Sequence, residues 1–171
     1  RLPELAKYFI ETKFDNLLIT AKRGMFLSHF SFIFLFILIG FIMDPLLNII
    51  DSKIVFANPI LWSLIGLSFW FERYGAMHYQ LYGLTNRIVA HIGNGVTGFI
   101  YIVLVFLLIN KFQVYTFPIS YIIACLLFYC WYGVLHSKSF FKYNYFKFEV
   151  STSLFPFIIL SSYLIIIYIR S

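Results

Sequence analysis

The chain has 171 residues, of which 61% are hydrophobic and 12% charged. Soluble domains carry roughly 25% charged residues, so this balance excludes a single water-soluble core. The net charge of +6 does not mark a nucleic-acid binder, because the basic residues stand between apolar runs, where they set membrane orientation.

Pro3 and Glu4 read as a helix first turn, Lys22 and Arg23 as a last turn, and Gly24 as the stop. Leu5, Tyr8, Phe9, Leu17, Leu18 and Ala21 give an approximate apolar stripe between them. Residues 1–24 are therefore expected to form an amphipathic helix, lying on the membrane surface or docked on a neighbouring subunit. No cleavable signal peptide is expected in the opening residues.

Five uncharged runs then reach the roughly 18 residues that a bilayer span needs. They are Met25–Met43, Ile54–Phe71, Ile88–Asn110, Phe112–Ser137 and Val150–Ile169. Asp44-Pro45 is expected to break the first, so that residues 25–72 form a helical hairpin. Trp62 and Trp70 stand near the ends of the second, and His29, isolated among aromatic residues, is expected to be a packing histidine. Glu72–Arg87 and Lys138–Glu149 read as loops, the latter alternating basic and aromatic residues as an interfacial segment does. This arrangement puts ten Lys and Arg on one side and leaves Lys53, Lys111 and Arg170 on the other, with the N-terminus on the basic side. The expected fold class is an all-α membrane protein of about five transmembrane helices with an N-terminal amphipathic helix. Cys125 and Cys130 lie five apart on one expected helix, on different faces, and read as packing residues rather than a disulfide.

The stretch Arg73–Gly98 concentrates polar residues at the mouth of a span, where they are costly without a ligand or partner. Gly93-Asn94-Gly95-Val96-Thr97-Gly98 has the spacing of a dinucleotide fingerprint, but it lies inside a spanning helix and lacks the preceding strand. Small residues there serve close approach of another helix or a flat ligand. On a helical wheel Arg87, His91, Asn94 and Gly98 share a face, with Gly95 beside it. In the next span Cys125, Tyr129, Tyr132 and His136 do the same, with Gly133 alongside. A short turn at Lys111 makes the two spans antiparallel, so these sets are expected to converge near the basic surface, as a ligand site or as interhelical hydrogen bonds.

RYGAMHYQLY (Arg73–Tyr82) resembles the R-P-L-S-P-H-L-Q-I-Y segment of the succinate dehydrogenase cytochrome b membrane-anchor subunit, with Arg73, His78, Gln80 and Tyr82 at matching positions. The family's S-I-x-H-R-x-T-G segment falls, at the same distance, on His91–Gly98. Its H-T-W-N-G-I-R-H falls on Tyr129–His136, where Trp131, Gly133 and His136 match. The resemblance covers roughly residues 73–171, which it implies are a three-helix anchor core, and leaves 1–72 as an extension. It implies a complex II anchor in the mitochondrial inner membrane, with a bacterial cytoplasmic membrane as the alternative. The implied partners are an iron–sulfur subunit, a flavoprotein subunit, a second small anchor subunit, lipids and further respiratory complexes.

The implied cofactor is ubiquinone, in a pocket built from His91, Arg87, Asn94, Tyr129 and His136. His91 is then the main quinone-side group and Arg87 the charge stabiliser. The family's quinone-site Ser and Arg fall on His91 and Gly95, its paired His on Asn94, and its haem-ligating His on Tyr129. A phenol replaces imidazole poorly in such a site, so haem b is not expected unless His91 or His136 takes over ligation. Such a subunit is not catalytic alone. Two rival classes remain: a non-redox accessory or structural subunit of a respiratory-chain membrane complex, and a small transporter. The transporter is disfavoured because no span holds a buried carboxylate or a broken helix of the kind coupled transport uses.

Overall fold

A short helix, α1 (Leu2–Ile10), and a long one, α2 (Phe14–Ile49), replace the single surface helix expected over residues 3–23. In this computed structural model residues 2–54 and 56–170 are described. Arg1 (counted on the basic side), Val55 (inside the second expected span), Ser171 and the side chain of Arg170 lie outside the described residues. The chain breaks at Thr12, whose φ of 57° closes α1 in the left-handed conformation. Its N–H donates to the Phe9 carbonyl at 3.1 Å and that of Lys13 to the Tyr8 carbonyl at 2.9 Å, the paired bonds of a Schellman closure. Glu11 braces the turn against Lys13 at 2.9 Å, and the hydrogen bond from that ammonium holds its carboxyl below the usual range.

Gly24 does not stop α2. Leu17, Ala21, Met25, His29, Ile33 and Phe36 form one buried stripe at spacings of four and three that runs straight past it. A glycine inside a helix costs only about 1 kcal/mol, less than such a stripe returns on burial. Pro45 does not break the helix either. It lies near the C-terminal end, where the freed Phe41 carbonyl is close to the helix's unpaired last turn.

Helix α3 (Pro59–Gly83) starts on Asn58, whose Oδ1 accepts from the Leu61 N–H at 2.8 Å, with Pro59 in the first turn. It then runs twelve residues into the segment Glu72–Arg87 that the sequence reads as a loop. The polar residues there find partners inside the protein, so the helix has no reason to end. Only residues 84–89 form the connection, with Asn86 left-handed at φ 59°. Helix α4 (Ala90–Phe112) reverses at Gln113, φ 50°, into α5 (Thr116–Ala124). Tyr101 packs edge-on against Tyr121, and Thr116 donates to the Leu108 carbonyl, so the expected antiparallel hairpin forms.

A π-turn, Cys125–Tyr129, joins α5 to α6 (Cys130–Phe141). A second, Val150–Leu154, joins α7 (Tyr145–Glu149) to α8 (Phe155–Arg170). The expected loop Lys138–Glu149 is thus almost wholly helical. Its reversal needs only residues 142–144, with Lys142 left-handed at φ 51° and Asn144 capping α7 through a bond from the Lys147 N–H.

Three stretches of the described residues are long and apolar enough to cross a membrane: Phe14–Ile49, Ala90–Phe141 and Tyr145–Ile169. The middle one is the folded α4–α6 hairpin. Helix α3, which holds Glu72 and Arg73, is not among the three, although the sequence counts its first half as a span. It is instead the central helix, packed on α2, α5, α6 and α8. The least apolar of the long helices is therefore the one most enclosed by protein, as expected where lipid cannot satisfy polar side chains. It also crosses the 72/73 point at which the sequence divides extension from core.

His29 is buried as expected, and its role follows from Pro156. Pro156 has no N–H to return to the carbonyl of Thr152, four residues earlier. The His29 Nδ1–H donates to that carbonyl at 3.3 Å, while its ring lies 4.5 Å from that of Trp70. A His29→Phe chain keeps the ring but not the donor, and is expected to lose about 1 kcal/mol of stability. In a Pro156→Ala background the helix can make the bond itself, so the same substitution should cost close to nothing. Equal losses in both backgrounds, measured by unfolding in denaturing detergent, would refute this link between α2 and α8.

Candidate functional site

The five residues the sequence assigns to one pocket do not converge. Tyr129 and His136 face α3: Tyr129 is buried, its ring 4.8 Å from that of Tyr79, and His136 stacks on Tyr82 at 5.1 Å. The His136 Nε2 is buried without a hydrogen-bond partner. His91 and Asn94 are exposed on α4, and Arg87 is exposed in the connection before α4 begins. The reason lies in the packing of α4. It meets its neighbours through Gly93 and Thr97, which lie about 110° round the wheel from the His91–Asn94–Gly98 face. Gly93 is chosen because the Tyr79 hydroxyl, which donates to the Tyr129 carbonyl at 3.1 Å, occupies the space a Cβ would take.

A different polar centre lies between α3, α6 and α7, and sequence reasoning missed it. His78, 1% exposed, places Nδ1 3.0 Å from the Ser137 Oγ and 3.3 Å from the Tyr143 hydroxyl, which are themselves 2.9 Å apart. The same Ser137 hydroxyl lies 3.1 Å from the Val134 carbonyl. Burial of the Tyr143 phenol, in the α6–α7 connection, pushes its pKa up, so it stays a neutral donor. On the far side of the imidazole, Nε2 lies 3.2 Å from Oε1 of Glu149, close enough for a hydrogen bond but not aligned as one. The other oxygen, Oε2, accepts from the Ser153 hydroxyl at 2.9 Å.

A bare imidazole nitrogen and a carboxylate oxygen are both acceptors, so a hydrogen bond across this gap uses a proton carried by one of them. His78 thus stands between the Ser137–Tyr143 hydroxyl pair on one side and Glu149 on the other. Arg73, one turn before Met77 on α3, donates from Nε to the Ser28 Oγ at 3.0 Å and ties the same region to α2.

Two signals in the sequence pointed here. Glu149 is the only acidic residue after Glu72, and Tyr74, His78 and Tyr82 recur at i, i+4 on one helical face. The resemblance marked His78 and Arg73, but reading Lys138–Glu149 as a surface loop separated Glu149 from them.

At the position where the resemblance places a haem ligand, the Tyr129 ring occupies the space that a Cβ on Gly75 would take. That phenol is committed to helix packing and does not fit an axial haem ligand. Compared with protein-family models, with curated proteins and with solved structures, the chain matches none.

Proposed function

We propose that the chain is a membrane-anchor subunit of a succinate:ubiquinone oxidoreductase, acting without haem b at Tyr129. One observation carries this reading. The two sequence segments that separately resemble the cytochrome b anchor, Arg73–Tyr82 and Tyr129–His136, lie on each other along α3 and α6. A methyl on Gly133 would stand 3.2 Å from the Gly75 carbonyl oxygen and 3.4 Å from the His78 Cβ, and Tyr82 stacks on His136. Matches 50 residues apart in sequence thus form one surface of contact.

The exposed α4 face supports subunit status. Among the described residues His91 and Asn94 have no hydrogen-bond partner, and a Cβ on Gly95 or Gly98 would meet nothing within 4 Å. Polar groups at the edge of a lipid-facing helix are costly until another helix covers them. This face, together with Arg87, is where a second anchor subunit or the iron–sulfur subunit would dock. It serves equally a non-redox accessory subunit of a respiratory-chain complex, the second reading.

Purification of the tagged chain in mild detergent separates the two. A flavoprotein and an iron–sulfur protein recovered in about equal amounts, with succinate–quinone turnover, are expected. Recovery with other respiratory subunits and without a flavoprotein would establish the accessory reading instead. The membrane proposed is the mitochondrial inner membrane.

A further inference from the structure

Helices α6 and α8 both pack on α3 and barely touch each other. The cleft between them holds about 410 Å³, within the roughly 300–1,000 Å³ of small-molecule sites. Trp70, Phe71, Trp131 and Phe157 wall it, and Trp131 is 58% exposed, so the cleft opens sideways from the helix bundle. Both π-turns border it, Leu126 from the first and Val150, Ser153 and Leu154 from the second. Such turns are rare, and they recur where a helix is reshaped for a ligand.

The lining becomes polar toward the end that carries the α6–α7 connection, where Tyr74, Tyr145 and Glu149 meet. The Tyr74 and Tyr145 hydroxyls lie 2.9 Å apart, so one O–H serves the other and the second is left to donate. Behind Glu149 stands His78, its Nε2 3.2 Å from Oε1.

We propose that this cleft binds an apolar-tailed molecule with a flat, neutral, carbonyl-bearing head. The head would lie between the aromatic walls, with a carbonyl oxygen accepting from the tyrosine pair. Charge decides the class of head. Glu149 already faces His78 and a Ser153 hydroxyl, and the Lys138 ammonium stands 5.9 Å above the Tyr145 ring, so a cationic head is poorly served. The Glu149 carboxyl in the wall disfavours an anionic one. Under the function proposed above, the neutral head is that of the quinone. The name of the ligand rests on that reading, whereas the place of the site does not. It is also not the place that the resemblance implies, at the start of α4.

Photolabelling of the full chain in its native membrane with an azido-substituted, short-tailed ubiquinone tests the site. Adducts are expected between Leu126 and Val134 and between Tyr145 and Leu154, and excess decylubiquinone should suppress them. Tyr74→Phe combined with Tyr145→Phe removes the donor, and Leu126→Trp fills the cleft from a position that is 42% exposed. Each should cut labelling about tenfold, the weight of one good hydrogen bond or of steric exclusion, while His91→Ala leaves it unchanged. Adducts concentrated on Arg87–Gly98, labelling that decylubiquinone does not suppress, or no labelling at all would overturn the proposal. Competed labelling of the cleft in a chain that recovers no flavoprotein would instead keep the site and overturn the oxidoreductase reading.

Discussion

A His78→Ala chain is expected to lose about 3 kcal/mol of stability, the low end of what removing one partner of a buried pair costs. Among the described residues the imidazole is the only group that touches Ser137, Tyr143 and Glu149 together. Without it, Ser137 and Tyr143 still bond to each other at 2.9 Å, so their loss is small. The cost falls on Glu149, which keeps the Ser153 hydroxyl but no longer has a partner for its second oxygen. That carboxyl side chain is 15% exposed, and the access to water this allows is why the low end applies. Adding Glu149→Gln to the His78→Ala chain removes the isolated charge and should recover about half of the loss, a coupling of the size neighbouring groups show. The unfolding midpoint in a denaturing detergent series reads both effects. A loss below about 1 kcal/mol for His78→Ala, or additive losses for the pair, would mean that the His78–Glu149 contact contributes nothing specific.

The sequence made the apolar helices legible and misplaced most of their ends. Runs such as Ile88–Asn110 and the turn near Lys111 appear where expected, because lipid leaves an apolar stretch few alternatives to a helix. The ends went wrong wherever polar residues were taken as a demand for water. Arg73 and His78 belong to helical turns because Ser28 and Ser137 satisfy them from other helices, and Glu149 because His78 faces it from α3. No local pattern reveals partners 45 and 59 residues away.

The inward face of α4 was misjudged for a related reason. Helix α4 has two faces with small residues, Gly93–Thr97 and Gly95–Gly98, and periodicity alone does not say which one packs inward. The choice was made by Tyr79, on another helix, whose hydroxyl needs the room beside Gly93. The wheel therefore found a true face and assigned it to the wrong side of the helix.

The same substitution is accordingly expected to act with opposite sign on two glycines. At Gly75 the position of a Cβ is already taken by the Tyr129 ring, whose Cε1 lies 2.6 Å away. That ring cannot swing aside freely, because Tyr79 packs on it and donates to the Tyr129 carbonyl. Gly75→Leu should therefore push α3 and α6 apart and cost about 3 kcal/mol, the upper range for overpacking, even after the better helix propensity of leucine. At Gly95 nothing lies within 4 Å. Gly95→Leu should leave the isolated chain as stable as before or about 0.8 kcal/mol better, which is the helix propensity gain.

The difference should reappear in reverse in the assembled complex. If another subunit's helix approaches α4 through Gly95 and Gly98, a leucine there blocks it and the partner is lost on purification, although this chain is intact. Stability in detergent and partner recovery, measured on the same two variants, give the comparison. A Gly95→Leu chain that retains every partner would show that this face meets lipid, and the polar residues beside it would then lose the role of a docking surface.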